Sequence, residues 1–272
     1  MNIALTVISK QEERYLDEWI TYHFNLGISH IYFLDNNDKE DDKQKELVEK
    51  YDNITYIDIR GLTYSSLNQD IQMYFYKKVF DDYKQHHDWM LFLDVDEFFT
   101  LENKTLQEFF EQTIFNNTSE ILFNWKCFND ADLVFDDGGS VVERFTIPFE
   151  TYACYTPNII ENEFCKCAVN CRYEMKSHQI HAAIVNGNTK NALGQLCSQF
   201  GKQSNIIHKE AFIRHYSIKT IDEYIKNRII KKRLHCGNTQ DSAKSRIDRF
   251  FNVCKHTKEK DELAKFVLEN YK

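Results

Sequence analysis

The chain has 272 residues, 42% of them hydrophobic and 14% aromatic, with a formal net charge of −8. This composition supports a sizeable core and excludes a disordered chain, and the acidic balance argues against nucleic acid as the main partner. With 2 prolines and 8 glycines there is no linker, repeat or low-complexity tract, and no apolar run reaches the length of a membrane-spanning helix.

The N-terminus, Met1-Asn2-Ile3-Ala4-Leu5-Thr6-Val7-Ile8, lacks a basic flank and a small-residue cleavage site. It reads as a first strand over residues 3–8 rather than a secretory leader. The expectation is therefore a cytosolic protein with reduced cysteines. Tyr15, Leu16, Trp19, Ile20, His23 and Phe24 share one face of a helix over 12–24, which Gly27 ends. A strand over 29–34 runs into Asp35-Asn36-Asn37-Asp38. A polar helix over 41–51, a strand over 54–59 and an amphipathic helix over 68–83 follow. The strand at 89–93 then ends abruptly in Asp94-Val95-Asp96-Glu97.

The first hundred residues thus alternate strand and helix, the pattern of a parallel sheet covered on both faces. Two of the strands end in acids, Asp35 and the Asp94/Asp96 pair. Ligands of such sheets sit outside the carboxyl ends of the strands. Carboxylates there need a partner or a cation, and oxygen ligands suit Mg²⁺ or Mn²⁺ carrying a phosphate. A solvated acidic loop is the plainer alternative. Neither G-x-G-x-x-G after the first strand nor G-x-x-x-x-G-K-[ST] anywhere is present, which argues against a dinucleotide dehydrogenase or a P-loop ATPase.

Thr105 and Glu108 form a capping box for a helix over 105–115. A strand over 120–125 leads into an acidic stretch over 129–140 that holds Asp130, Asp132, Asp136 and Asp137. Residues 141–149 read as a strand, and helical periodicity returns over 220–234, 242–254 and 258–271. The chain therefore divides into a domain over 1–219 and a helical extension over 220–272. Basic residues gather in the extension, among them Lys226, Arg228, Lys231, Lys232 and Arg233. The helix over 220–234 either packs through Ile221, Tyr224, Ile225 and Ile229 or rests on the inner leaflet of a membrane. Cys154, Cys165, Cys167 and Cys171 cluster in sequence with His178 and His181. A structural zinc is conceivable there, but Cys165-x-Cys167 departs from the usual C-x₂₋₄-C spacing, so ordinary thiols are preferred.

Several blocks occur in a telling order: Glu12-x-x-Tyr15-Leu16-x-Glu18-Trp19-Ile20-x-Tyr22-His23, Asp35-Asn36, Gln72-x-x-x-Tyr76, Leu93-Asp94-Val95-Asp96-Glu97-Phe98, Trp125-x-x-Phe128, Glu143-Arg144-Phe145-Thr146, Lys166 and His215-Tyr216. Together, over about residues 3–230, they resemble a GT-A glycosyltransferase of the family-2-like group related to glycosyltransferase family 92. The resemblance implies an α/β GT-A fold, with a mostly parallel central sheet flanked by helices. It implies metal-dependent, inverting transfer of a sugar from a nucleotide-sugar, a UDP-hexose or UDP-N-acetylhexosamine, to a hydroxyl of a glycan or lipid-linked acceptor. The setting it implies is surface polysaccharide or lipooligosaccharide assembly in the cytoplasm, with peripheral membrane contact.

On this pattern Thr6, Glu12, Asp35, Gln72, Asp94 and Lys166 hold the donor. Asp94, Asp96 and His215 hold Mn²⁺ or Mg²⁺, and a histidine ligand favours Mn²⁺. Inversion needs a general base for the acceptor hydroxyl and no protein nucleophile. Asp130 and Asp132, after the fifth helix-flanked strand, are the candidates, while Glu97 supports the site and Arg144 pairs with a nearby acid. Asn129 and Ile229 stand where the family often has glycine, so acceptor identity does not carry over. The other readings are a metal-dependent phosphohydrolase or nucleotidyltransferase using the same acids, and a non-catalytic glycan- or nucleotide-binding module.

Overall fold

The computed structural model describes residues 1–151, 158–230 and 243–270. Cys154, Lys231, Lys232 and Arg233, and with them the end of the helix expected over 220–234, lie outside the described residues. The chain forms two compact units: Met1–Trp125 with Glu163–Arg214, and Lys126–Asn162 with His215–Lys272. The division expected at 219/220 differs from this one, because residues 126–162 group with the C-terminal helices.

In unit 1 the expected alternation is present as β1 (Ile3–Ser9), α1 (Glu13–Leu26), β2 (His30–Asp35), α2 (Lys43–Val48), β3 (Ile54–Asp58), α3 (Tyr64–Leu67), α4 (Ile71–Tyr83) and β4 (Trp89–Leu93). Gly27 takes the left-handed conformation at the end of α1, with φ of 112°. Asp70 caps α4 by accepting from the Met73 backbone N–H at 3.0 Å, so the amphipathic segment starts later than its periodicity suggests. Next come β5 (Glu97–Leu101), α5 (Leu106–Phe110), β6 (Thr118–Cys127), β7 (Cys165–Asn170), β8 (Met175–His178), β9 (Ala183–Val185), β10 (Asn188–Asn191) and β11 (Ala211–His215). The Thr105–Glu108 capping box is formed at α5 as expected.

Among the described residues the main sheet has nine strands in the order β3-β2-β1-β4-β7-β6-β11-β5, with β10 on β6. β1, β2, β3 and β4 pair in parallel, and β7 runs antiparallel to β4 and β6. This is the α/β architecture of a GT-A-type domain, mostly parallel and flanked by helices. β1 is buried along its whole length, as a central strand covered on both faces should be. No described helix is long and apolar enough to cross a membrane.

β5 was not expected. Its Phe98-Phe99-Thr100 follows the acids directly, and the apolar pair was the available signal. α1 holds it in place. Trp19 Nε1 donates to the Glu97 carbonyl at 2.7 Å, and Tyr22 OH to the Phe99 carbonyl at 3.0 Å. His23 Nε2 accepts from the Phe99 N–H at 3.3 Å, while Nδ1 meets the Trp19 carbonyl at 2.8 Å. Burial lowers the His23 pKa to about 3, so the ring is neutral, with its proton on Nδ1. The sequence block Trp19-x-x-Tyr22-His23 is thus the clamp on the strand behind the acids.

Cys165 and Cys167 are buried thiols of β7. Among the described residues the cysteines clustered with His178 and His181 bring no three ligand atoms within 4.8 Å of one another. Beside them Glu120 accepts from Ala183 N at 2.6 Å and Thr189 Oγ1 at 2.8 Å. Burial pushes its pKa from 4.5 to about 7. A carboxyl raised in the folded state stabilises fully below its unfolded pKa, and that contribution is lost as pH rises through the folded one. The loss is about 3 kcal/mol. Glu120→Gln cannot titrate and should gain roughly that amount relative to the parent between pH 4.5 and 8. Urea unfolding at both ends of this range measures it; a pH-independent difference would refute the assignment.

In unit 2, residues 141–149 do not form the expected strand. Ser140 accepts from the Glu143 N–H and caps a short helix, α6 (Val141–Arg144). The Ser-x-x-Glu cap outweighs the β-branched pair Val141-Val142. α7 (Ile221–Ile225) continues as a π-helical turn over Lys226–Ile230, and α8 (Ala243–Phe251) and α9 (Lys258–Asn270) complete the unit. Ile221, Tyr224, Ile225, Ile247, Phe250, Ala264 and Val267 make its core. Val134 and Phe149 pack against that core, which is why residues 126–162 belong with the helices.

Candidate functional site

The parallel register places the strand ends of unit 1 at one edge. Ser9 lies opposite Asp35, and Val7 opposite Leu93, so the acid that closes β2 and those that follow β4 sit at the same sheet edge, on either side of β1. The chain reverses after β4 in a tight turn over residues 94–97. Glu97 N donates to the Asp94 carbonyl at 3.1 Å, and Glu97 Oε2 accepts from the Asp94 N–H at 3.0 Å. Three carboxylates therefore occupy four consecutive positions. Carboxylate oxygens of Asp96 and Glu97 lie within 4.8 Å of each other.

Asp94 is held from both sides. Gln72 Nε2, from α4, donates to its Oδ1 at 2.8 Å, and Lys166 Nζ, from β7, to its Oδ2 at 2.8 Å. Lys166 also lies 3.5 Å from Glu97 Oε2. Tyr76 supports the same corner by donating to the Leu93 carbonyl at 2.9 Å. Burial, the largest influence, raises the Glu97 pKa well above the usual carboxylate range, and Lys166 opposes it. Lys166 itself is buried, and its pKa is raised: burial acts downward, but the charges of Asp94 and Glu97 outweigh it.

Asp35 is engaged differently. Its Oδ1 accepts from Asn37 N at 2.9 Å and Gln44 Nε2 at 2.7 Å, and its Oδ2 from Tyr56 OH at 3.0 Å. Burial raises its pKa, and these hydrogen bonds oppose the rise. Asp35 thereby organises the loops after β1 and β2. Glu12 lies just before α1, and its N–H donates to Gln44 Oε1 at 3.3 Å. Thr6 is fully buried in the middle of β1, and its hydroxyl finds no partner among the described residues. Of the residues expected around a donor, Gln72, Asp94, Asp96 and Lys166 come together in one cluster, with Glu12 and Asp35 in a neighbouring network at the same sheet edge.

Asp130 and Asp132 belong to unit 2. Asp130 is buried against Lys260 Nζ at 2.5 Å and accepts from the Asp132 N–H at 3.1 Å. Asp132 is exposed, in a left-handed conformation with φ of 63°, and pairs with Lys255 at 2.8 Å. The hydrogen bond from Lys255 holds its pKa below the usual carboxylate value. His215 ends β11, is buried, and presents Nδ1 to Cys127 Sγ at 3.8 Å. Arg144 pairs with Asp136 and Asp137, as an acid pairing was expected to do, and also with Glu223.

Within unit 1 the residues fit a divalent cation. Asp94, Asp96 and Glu97 offer hard oxygen donors, Lys166 pairs with Asp94 and Glu97, and Glu97 Oε1 is buried without a hydrogen-bond partner among the described residues. Such an orphaned oxygen in an acidic turn is costly unless a proton or a cation satisfies it. The Glu97 contribution was underrated from sequence. Its position three residues after Asp94 was the readable signal, since it allows the reciprocal turn bonds.

The comparisons with known proteins follow this geometry. A family model for glycosyltransferase family 92 matches residues 8–246. No curated protein matches the chain. Among solved structures, the chain is similar to HddC from Yersinia pseudotuberculosis, at 8% identity over 62% of this chain and 77% of that one, with a TM-score of 0.34. It is also similar to the 4-diphosphocytidyl-2C-methyl-D-erythritol synthase of Anaerococcus prevotii, at 14% identity over 63% and 70% of the two chains, with a TM-score of 0.31.

Proposed function

This chain belongs to glycosyltransferase family 92, and from that premise we propose that it moves a hexose or N-acetylhexosamine from a UDP-sugar to a hydroxyl of a glycan or lipid-linked acceptor, with inversion. The observation that carries the donor-site reading is the acidic turn over residues 94–97 at the carboxyl end of β4. Asp94, oriented by Gln72 and Lys166, accepts hydroxyl hydrogen bonds from the nucleoside. Asp96 holds Mn²⁺ or Mg²⁺, with Glu97 behind it. A cation bound there would supply charge neutralisation for the departing diphosphate. Glu12 and Asp35 shape the loops around the base and ribose. His215 is carried as a further ligand on the family pattern.

The acceptor hydroxyl loses its proton to a carboxylate as it attacks. Of the two acids proposed for this, Asp132 is the exposed one, while Asp130 is buried against Lys260. A single displacement inverts the sugar carbon and needs no covalent intermediate. We place the reaction in surface polysaccharide or lipooligosaccharide assembly, in the cytoplasm or at the inner leaflet; the buried thiols of Cys165 and Cys167 suit a reducing compartment.

The test offers purified protein a panel of UDP-, GDP- and dTDP-sugars with Mn²⁺ and then with chelator. Metal-dependent release of UDP from one donor is expected. Release of phosphate or pyrophosphate instead would assign a phosphohydrolase or nucleotidyltransferase. No release and no calorimetric binding of UDP would end the proposal and move weight to the phosphohydrolase or the binding module.

A further inference from the structure

At the sheet edge opposite the acidic turn, unit 1 holds a cavity of about 380 Å³. It lies where β1 and β4 begin. From Trp89 on its lining to Asp94 is the length of β4, roughly 16 Å at ~3.3 Å per residue. The volume falls among those of small-molecule sites, about 300–1,000 Å³. Its walls are tied together. Asp88 Oδ2 accepts from the Asn2 N–H at 2.8 Å, and the Asp88 carbonyl accepts from the Cys171 N–H at 2.9 Å. Asn170 Nδ2 donates to the Thr118 carbonyl at 3.1 Å, and its Oδ1 accepts from the Arg172 N–H at 3.1 Å. The start of β4, the start of β6 and the end of β7 are thereby held in one frame.

The lining discriminates among guests. Trp89, Phe110 and Phe115 close the floor but are only 4%, 3% and 3% exposed, so an apolar ligand would find little surface to cover. Among the lining side chains, Asp88 and Glu111 set two carboxylates against the one guanidinium of Arg172, which disfavours a phosphate. These carboxylates gather no third ligand atom within 4.8 Å among the described residues, which disfavours a metal. What the cavity does offer is a mixture of donors and acceptors. The Arg172 guanidinium and the Asn116 and Asn117 carboxamides make no hydrogen bond among the described residues. Asp88 keeps Oδ1, and Glu111 keeps Oε2, since Gln107 takes its Oε1 at 2.9 Å. A hydroxyl donates and accepts at once, whereas an anion only accepts. Adjacent hydroxyls of a sugar ring therefore suit this lining.

We infer that the cavity is a second saccharide site, which holds a neutral sugar unit of a glycan chain a strand's length away from the acidic turn. The binding rests on the cavity. That the bound sugar belongs to the acceptor or product chain rests on the glycan transfer proposed above.

The test offers the full chain a panel of neutral sugars without nucleotide: glucose, galactose, mannose, N-acetylglucosamine and disaccharides of each. Saturation-transfer NMR and calorimetry read binding, and inorganic phosphate is run beside them. At least one sugar is expected to bind in the millimolar range. Arg172→Ala should weaken it by about tenfold, the worth of a hydrogen bond from a charged group. Asn117→Gly should weaken it by about threefold or more; glycine suits the φ of 56° at that position. Both residues are exposed, so both variants should fold, and both should bind UDP in Mn²⁺ as the parent does.

Binding of no sugar overturns the inference, as does a sugar affinity that neither variant changes. Sugar binding that UDP displaces, or that Asp96→Asn abolishes, would place the sugar at the acidic turn and also overturn it. Phosphate binding that depends on Arg172, with no sugar bound, would make the cavity an anion site instead. A protein that binds the sugar through Arg172 but never binds UDP would defeat the donor-site reading and leave the saccharide site standing.

Discussion

An Asp96→Asn protein is expected to fold as the parent does and to transfer sugar about 10²–10³-fold more slowly, the scale of losing one preorganised stabiliser of developing charge. The turn that carries Asp96 is fixed by Asp94 and Glu97, through the bonds between Asp94 N and Glu97 Oε2 and between Glu97 N and the Asp94 carbonyl. The substitution leaves both bonds in place, so the loss should fall on catalysis rather than on stability. Asparagine keeps one oxygen donor but brings no charge, so raising Mn²⁺ should restore only part of the rate. Steady-state kinetics across a Mn²⁺ titration, with circular dichroism on the same samples, is the measurement. Activity within tenfold of the parent at every Mn²⁺ concentration would remove Asp96 from the metal site. A lost fold would show instead that the turn depends on its charge.

The second large effect is on stability, and it lies in unit 2. Arg144 reaches Asp136 at 3.2 Å, Asp137 at 2.8 Å and Glu223 at 3.0 Å, and its guanidinium carbon sits 4.7 Å from the centre of the Phe145 ring. Glu223 is buried and also closes the capping box of α7 with Thr220. Arg144→Met would leave that carboxylate buried without its counter-ion, a change that costs about 3–5 kcal/mol. Chemical denaturation, followed by a probe in unit 2, should register it. Glu223→Gln in the same protein should recover most of the loss, since the amide keeps the shape without the charge. A single variant as stable as the parent would mean that the acids relax into water, and that the network contributes little.

Much of unit 1 was legible from sequence. Apolar periodicity located α1 and the first four strands to within a residue or two, because a central parallel strand must be apolar on both faces and α1 on one. The same logic placed Asp35 and Asp94 at strand ends. What failed was local competition. Residues 141–149 carry β-branched residues that suggest a strand, yet the Ser140 cap turned their start into α6. β5 was hidden because its apolar pair follows the acids without a break.

The alternation of elements, the acids that close β2 and follow β4, and the family blocks are readable along the chain, since each depends on residues near one another in it. The partners of those acids come from packing. Lys166 is 72 positions from Asp94 in sequence and Gln72 is 22, and no spacing rule predicts that both converge on one carboxylate. Asp35, read as a residue of the donor site, accepts on both oxygens from Asn37, Gln44 and Tyr56. Asp130, read as a candidate general base, is buried against Lys260, 130 positions away. The charge state and reach of a carboxylate are set by burial and by partners brought together through packing, and neither is written in its neighbours along the chain.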